Sequence, residues 1–236
     1  MIIMRKLFFL LAITCLFLTG CIRGRRSNAP ETGQEDSVTV EASPVAQGPD
    51  TLFVSMRIPP EIEARMRGVS YPAGATISLQ ELRYLRLSYI DFEGNMQVGE
   101  LVCNKLIAND LLAIFRELYS ARYPIRSIRL IDDFGGSDDA SMAADNTSCF
   151  NYRPVSGGKS LSKHALGLAV DINPLENPYV RNETVLPSNA TAFVNREESF
   201  PHKIDKTDLC YQLFIDRGFA WGGNWRSLKD YQHFEK

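Results

Sequence analysis

Several common functional patterns are missing from this sequence of 236 residues. It has no CxxC pair, which argues against a structural zinc knuckle. It has no HExxH, GxSxG or phosphate-loop sequence, which removes the commonest alternative classes of hydrolase and nucleotide-binding protein. Basic residues form no long stripe and the formal net charge is only -2, so we expect no nucleic-acid partner.

Long apolar runs are also scarce, and the one near the N-terminus is too short to span a membrane. Twelve mostly apolar residues, Leu7 to Leu18, follow Arg5 and Lys6, whereas a spanning helix needs about 20. The run ends at Leu18-Thr19-Gly20-Cys21, which resembles the lipobox of bacterial lipoproteins. We therefore predict a signal peptide at residues 1–20 and lipidation of Cys21. An ordinary secretory signal is the alternative.

By this resemblance the protein is an exported bacterial lipoprotein, anchored to a membrane through Cys21 and facing the cell wall or periplasm. The following residues, up to 50, contain no aromatic side chain and are rich in Pro, Gly, Ser and Glu, a composition typical of a disordered tether. Residues 51–236 have a globular composition and are numerous enough to fold as one domain. We expect this domain to be monomeric.

The domain has three cysteines, Cys103, Cys149 and Cys210, which in an oxidising compartment allow at most one internal disulfide, of undetermined pairing.

Local patterns in residues 51–236 indicate an α+β fold. They predict strands in "TLFVSMRI" and "IRSIRLI" and a hairpin around "DFEGN", with Leu85, Leu87 and Tyr89 facing inward. They also predict a helix starting at Pro60, a second one at residues 108–121 with Leu111, Ile114, Phe115 and Leu118 inward, and a third from the N-cap Thr207 to Gly218, with Leu209, Leu213 and Phe214 inward. Residues 173–206 show no sustained periodicity, which is typical of a lid, a binding loop or a disordered segment.

The segment "SKHALGLAVD", residues 162 to 171, carries the first chemical signal. From Gly167 onward its alternation predicts a strand with Leu168, Val170 and Ile172 on the core face. The other face carries Asp171 among very small residues, which leaves space in front of the carboxylate. Because a lone buried carboxylate is unfavourable, Asp171 needs a cationic partner, and His164 suggests a metal ion. The alternative is an ordinary hydrogen-bonded turn.

The C-terminal segment "WGGNWRSLKDYQHFEK" supplies further candidates. It holds Asp230 and His233, followed by Phe234, which we expect to face the core. His164, Asp171 and His233 together are the ligand set expected of a catalytic zinc, whose fourth position is left to water. Asp230 can then serve as the general base.

These two segments resemble known motifs. "SKHALGLAVD" is similar to the SxHxxGxAxD motif of the M15 family of zinc peptidases, which act on bacterial cell-wall peptides, and "WGGNW" with "DYQHFE" is similar to the family's second motif. The resemblance extends from about Arg126 to Lys236. It implies the hedgehog/DD-peptidase-like fold, a single domain with a central antiparallel sheet flanked by helices.

The resemblance also implies roles for individual residues. Zinc is bound by His164, Asp171 and His233, with Asp230 as catalytic base. Ser162 and Gly167 are supporting positions of the first motif.

The expected substrates are peptidoglycan stem peptides, with two cleavage types open. Aspartate at position 230 resembles the L-Ala-D-Glu endopeptidase branch, since the D-Ala-D-Ala branches usually carry glutamate there. The family also uses an arginine to hold a substrate carboxylate or the developing oxyanion, and Arg153 in "NTSCFNYR" is the candidate, with a plain surface arginine as the alternative. The related hedgehog domains hold zinc without peptidase activity, so a non-catalytic cell-wall binding module is the other hypothesis.

Other residues near these motifs have simpler explanations. Trp221 and Trp225 either line the cleft or fill the core beneath it. His202 has no partner at ligand spacing, so we expect an exposed loop residue. The aspartates at 132, 133, 138 and 139 lack the spacing of a calcium loop, which favours solvated or N-capping roles.

Overall fold

The structure, a computed structural model, describes residues 51–155 and 160–236. The predicted signal peptide, the Cys21 lipidation site and the predicted tether lie outside these residues, and they stay predictions. Within the described ranges, no helix combines the length and the apolar character needed to cross a membrane.

The described residues form a mixed α and β fold built from four helices and eleven mostly short strands. The helices are α1 (Pro60–Met66), α2 (Ala108–Ser120), α3 (Asp138–Ala143) and α4 (Leu209–Asp216). The strands are β1 (Phe53–Met56), β2 (Leu82–Ile90), β3 (Met96–Asn104), β4 (Ser127–Ile128), β5 (Asn146–Thr147), β6 (Ala169–Asp171), β7 (Tyr179–Arg181), β8 (Thr184–Leu186), β9 (Ala220–Trp221), β10 (Lys229–Asp230) and β11 (His233–Glu235).

These strands pair into four small sheets rather than one. Three sheets are antiparallel and three-stranded, with the orders β1-β2-β3, β10-β7-β8 and β6-β11-β9, and the fourth is the parallel pair β4-β5. The predicted α+β class is confirmed, but the prediction of one central antiparallel sheet is wrong for the described residues. All the strands after β3 are only two or three residues long, so turns redirect the chain before the strands can join one continuous sheet.

The β2-β3 hairpin and helix α2 form the main hydrophobic core, as their periodicity predicts. The inward-facing residues predicted for these elements are all buried, namely Leu85, Leu87, Tyr89, Leu111, Ile114, Phe115 and Leu118. The same core includes Val170, Ile172 and Phe234, which lie on or next to strands β6 and β11. This core therefore supports the two strands that carry Asp171 and His233.

Helix α4 departs from the prediction at its N-terminus. Its N-cap is Asp208, whose carboxylate accepts hydrogen bonds from the amides of Cys210 and Tyr211, whereas Thr207 donates to Asp205 instead. Leu209, predicted to face inward, is 39% exposed, because a start one residue later turns Cys210 to the core. Of the residues predicted to face inward, Leu213 and Phe214 are indeed buried: Leu213 is 7% and Phe214 0% exposed.

Residues 173–206 are more ordered than their lack of periodicity predicts. They contain the short hairpin of β7 and β8 and a 3-10 helix, Ser188–Phe193. Strand β7 also pairs with β10, with Tyr179 opposite Asp230. Three-residue strands are too short to produce a detectable alternation, and this explains the difference. In "IRSIRLI" only Ser127 and Ile128 form a strand.

The three domain cysteines, Cys103, Cys149 and Cys210, are buried free thiols. None of them forms a disulfide within the described residues, so the open question of pairing does not arise there.

Candidate metal and active site

His164 is fixed by a short turn and by hydrogen bonds at its backbone and its ring. It begins a 3-10 helix, His164–Leu166, and its amide donates to Ser162 Oγ at 3.2 Å. Its Nδ1 lies 2.6 Å from the carbonyl oxygen of Cys149. Because a carbonyl can only accept, Nδ1 carries the proton, and the lone pair of Nε2 is free to bind a metal. Ser162 thus holds the backbone of His164, and its supporting role in the motif stays a prediction.

Gly167 ends this turn in a left-handed conformation, with φ +66°, and lies directly against strand β3. A Cβ at this position would come within 2.6 Å of the Asn104 amide nitrogen. The Asn104 amide donates to the Gly167 carbonyl at 2.8 Å, and its side chain donates to the Leu166 carbonyl. Both the positive φ and this close approach require glycine.

The pairing of β6 with β11 brings Asp171 and His233 together. The two residues lie opposite each other in the antiparallel register, as do Val170 and Phe234. Val170 and Phe234 point into the core and are fully buried. Because side chains alternate along a strand, Asp171 and His233 share the other face.

The ligand atoms of the three predicted metal-binding residues converge. His164 Nε2 lies 3.2 Å from His233 Nδ1 and 3.2 Å from Asp171 Oδ2, and His233 Nδ1 lies 3.0 Å from Asp171 Oδ1. In a tetrahedral zinc site with bonds of about 2.0–2.1 Å, ligand atoms are roughly 3.3 Å apart. Two imidazoles and one carboxylate at this spacing therefore fit a zinc ion and leave its fourth position open.

Glu235 is a residue of the site that the sequence analysis missed. Its Oε2 lies 3.1 Å from His233 Nε2, so Nε2–H of His233 donates to it and Nδ1 faces the ligand cluster, 3.0 Å from Asp171 Oδ1. A carboxylate that holds the second nitrogen of a metal-binding histidine is a common arrangement. The sequence could have predicted this contact from the spacing of the two residues, because His233 and Glu235 are two apart on a strand and therefore share one face.

The charges of the cluster are strongly coupled. Burial alone raises the pKa of Asp171, but the adjacent His164 and His233 outweigh burial and lower this pKa well below its usual range. For the imidazole of His233, burial has the opposite effect and lowers the pKa, but the hydrogen bonds with Asp171 and Glu235 outweigh it and raise the pKa to about 10. Asp171 is therefore held as a carboxylate, the form that a metal ligand needs.

Asp230 lies beside this cluster on strand β10. Burial raises the pKa of Asp230 to about 7, and the nearby Asp171 contributes in the same direction. Its Oδ1 is buried and has no hydrogen-bond partner among the described residues. Gly222 packs against it, because a Cβ on Gly222 would lie 2.5 Å from the Asp230 carbonyl oxygen and 3.2 Å from His233 Cβ. Asp230 therefore combines a free acceptor atom with a pKa suited to proton transfer near neutrality.

The cluster lies in a cleft of about 340 Å³. Trp225 lines this cleft with its ring centroid 5.1 Å from that of His233. Trp221 belongs to the core, and its indole nitrogen donates to the Tyr231 carbonyl. The sequence left open whether each tryptophan lines the cleft or fills the core, and the structure places Trp225 in the cleft lining and Trp221 in the core.

Arg153 also lines the cleft, where it pairs with Asp138. The structure therefore places this candidate near the site with its charge already matched by a carboxylate. Asp138 also accepts a hydrogen bond from Asn151, and the N-cap of helix α3 is Ser137. The prediction that Asp138 is merely solvated or an N-cap is wrong, because its carboxylate binds two side chains.

His202 takes no part in the metal cluster of the described residues. It is partly buried rather than fully exposed, and its ring stacks on Phe92 with the centroids 3.7 Å apart. The expectation of an exposed loop residue is therefore wrong in this respect, because an aromatic neighbour covers one face of the imidazole.

Comparison with known proteins gives one match. Residues 156–236 match the model of the family Peptidase_M15_4, which is described as D-alanyl-D-alanine carboxypeptidase. Neither the curated proteins nor the solved structures contain a match to this chain. The matched region contains His164, Asp171, Asp230 and His233 and begins after Arg153.

Proposed function

We propose that this chain, whose residues 156–236 match the model of the M15 peptidase family described as D-alanyl-D-alanine carboxypeptidase, is a zinc-dependent enzyme that hydrolyses peptide bonds in peptidoglycan stem peptides. The observation that carries the proposal is the position of Asp230. Its partnerless carboxylate oxygen is buried in the same cleft as three converging ligand atoms. A peptide hydrolase needs a base at that place.

His164, Asp171 and His233 would hold the zinc ion. Zinc bound there supplies a Lewis acid, which polarises the scissile carbonyl and makes water a stronger nucleophile at neutral pH. Asp230 takes a proton from the attacking water and returns it to the nitrogen of the leaving amine. Asp230 Oδ1, which has no hydrogen-bond partner among the described residues, is the atom available to accept that proton.

Other residues position this machinery. The Cys149 carbonyl and the Glu235 carboxylate each hold the outer nitrogen of one metal-binding histidine, which fixes the ring orientation. Trp225 covers one side of His233 and restricts access of bulk water to that side. In this proposal Arg153 contacts the substrate only after it exchanges its ion pair with Asp138 for the substrate's negative charge.

We further propose that the enzyme is a lipoprotein held at a membrane through Cys21. The support is the charged and then apolar leader that ends at the lipobox-like Leu18 to Cys21. The tether would average roughly 30 Å end to end and reach about 100 Å at full extension, which lets the domain search the nearby cell wall.

The alternative is a binding module that holds zinc without catalysis. A structural zinc site has no use for a carboxylate beside its ligands, so Asp230 favours the enzyme. Incubation of the purified protein with muropeptides and zinc decides between them. We expect a defined fragment whose mass distinguishes the loss of a terminal D-Ala from cleavage between L-Ala and D-Glu. Muropeptides that stay intact while bound would favour the binding module.

A further inference from the structure

The sheet β10-β7-β8 forms one wall of the cleft. In its register Tyr179 lies opposite both Asp230 and Leu186, and all three residues line the cleft. Side chains alternate along a strand, so Arg181, two residues after Tyr179, faces the same side, and it also lines the cleft. The wall therefore carries the proposed base at one position and an arginine further along.

Within the described ranges, the side chain of Arg181 differs from the other cationic side chains of this cleft in having no partner. Arg153 is paired with Asp138, and Lys163 Nζ donates to the Lys236 carbonyl at 3.1 Å. The Arg181 backbone pairs with Thr184 in the β7-β8 hairpin, but its exposed side chain makes no ion pair, hydrogen bond or ring contact within the described part of the chain.

The other residues that line the cleft make the unpaired guanidinium of Arg181 important for the binding of a negatively charged ligand. Five carboxylates line the cleft, namely Asp138, Asp139, Asp171, Asp230 and Glu235. Asp138 is already paired with Arg153, Glu235 contacts His233 and Asp171 would be bound to zinc, so these carboxylates leave no spare cation for a negatively charged substrate. A substrate carboxylate is therefore most favourable next to a cation whose charge is not already matched. A free guanidinium also matches the planar geometry of a carboxylate with two parallel hydrogen bonds.

The spacing limits where that carboxylate can be on the substrate. Arg181 is two residues along β7 from the position opposite Asp230, a distance of roughly 7 Å at about 3.4 Å per residue. An extended peptide bound along this wall, with its scissile bond at Asp230, therefore presents to Arg181 a group one or two residues away from that bond.

We infer that Arg181 binds a free carboxylate of the substrate, one or two residues from the scissile bond, so that the enzyme selects acidic peptides over their amidated forms. This inference rests on the proposed function and adds the substrate class. Arg181 is a substrate-binding residue outside both sequence motifs, and Arg153 is not needed for this contact.

The test uses two peptides that differ only in one group, a carboxylate or a carboxamide one or two residues from the scissile bond. We expect the full protein loaded with zinc to cleave the carboxylate peptide faster. Arg181→Gln should lower kcat/KM for that peptide about tenfold to hundredfold, mainly through KM, and leave the amide peptide unchanged. Arg226→Gln is the matched control, because Arg226 is exposed, makes no ion pair in the described ranges and does not line the cleft.

The outcomes separate this inference from the proposed function. If Arg181→Gln cleaves both peptides as the unchanged protein does, the role of Arg181 is wrong and the peptidase activity stands. If the unchanged protein cleaves neither, the proposed function fails, and binding is then followed through the fluorescence of Trp225. Tighter binding of the carboxylate peptide that Arg181→Gln abolishes would still support the inference, and equal binding by both proteins would overturn it.

Discussion

His164 Nε2 and His233 Nδ1 lie 3.2 Å apart although the two residues are 69 positions apart in the sequence. Each ring is held at its other nitrogen by an acceptor, a carbonyl for His164 and a carboxylate for His233. The protein therefore fixes which nitrogen of each ring faces the site.

Removal of either histidine should abolish zinc binding. His164→Ala and His233→Ala each leave two protein ligands, so we expect the bound zinc to fall from about one per chain to near zero after dialysis. Elemental analysis of the dialysed protein measures this ratio. His202→Ala is the control, because His202 lies outside the ligand cluster of the described residues, and it should keep its zinc. Full zinc retention in His233→Ala would contradict the site.

Asp230 should be needed for hydrolysis but not for metal binding. Asp230→Asn keeps the shape and removes the proton acceptor, so we expect kcat on muropeptides to fall about 10²- to 10⁴-fold while zinc content stays unchanged. The control is Asp216→Asn, an exposed position at the end of helix α4. A variant at position 230 that loses its zinc would instead make Asp230 a ligand.

Glu235 should act on zinc through His233. Glu235→Gln keeps a possible hydrogen bond but removes the negative charge, and we expect zinc affinity to fall about 10- to 100-fold. Competition with a chelator of known affinity measures this change. Glu61→Gln is a suitable control, because Glu61 is an exposed residue of helix α1. Equal zinc affinities in the two variants would show that the Glu235 contact has no effect on the metal.

The sequence predicted which side chains converge better than it predicted their surroundings. His164, Asp171 and His233 stood out by residue type and by their resemblance to the motifs, and their ligand atoms lie close together in the structure, with Asp230 lining the same cleft. Glu235 was missed because the contact depends on how β11 orients its side chains. Only the fold could show that Arg153 is already paired with Asp138, since 15 residues separate the two partners in the sequence.

Periodicity predicted the long elements well and failed for the short ones. Helix α2 and the β2-β3 hairpin extend over enough residues for their patterns to be clear. Strands β7 and β8 have three residues each, and they are held by pairing with each other and by the pairing of β7 with β10. Thr207 and Asp208 are adjacent and both can cap a helix, so periodicity alone could not show that Asp208 is the one that accepts hydrogen bonds from the free amides of α4.

Gly167 should tolerate no side chain. Gly167→Ala would place a methyl group 2.6 Å from the Asn104 amide nitrogen, and its φ of +66° is already unfavourable for alanine. We expect a loss of several kcal/mol in the free energy of unfolding and of zinc binding with it. Gly68→Ala separates the two causes, because Gly68 also has a positive φ but nothing within 4 Å of its Cβ position. It should cost only about 1 kcal/mol in urea unfolding. Equal losses in both variants would rule out the steric explanation.

Glu176 and Asp145 form a buried carboxyl pair outside the candidate site. They are 8% and 4% exposed, and burial, reinforced by Asp145, raises the pKa of Glu176 to about 8. Between the ordinary pKa of glutamate, about 4.3, and pH 8 the folded protein therefore keeps a proton that the unfolded chain releases. This stabilisation is complete below the unfolded pKa and is lost as the pH rises through 8.

Glu176→Gln should remove this pH dependence, because glutamine cannot ionise and its amide still donates to Asp145. From pH 5 to pH 9 we expect the unchanged protein to lose about 1–3 kcal/mol of unfolding free energy relative to the variant. Urea unfolding at pH 5, 7 and 9 measures this difference. Titrating groups that do not interact with Glu176 are common to both proteins and cancel, so the difference reports Glu176 together with its neighbour Asp145, whose pKa depends in part on Glu176. Glu61→Gln, at an exposed position, is the control, and its unfolding free energy should change with pH as that of the unchanged protein does. If the unfolding free energy of Glu176→Gln also changed with pH as that of the unchanged protein does, Glu176 would be ionised in the folded state.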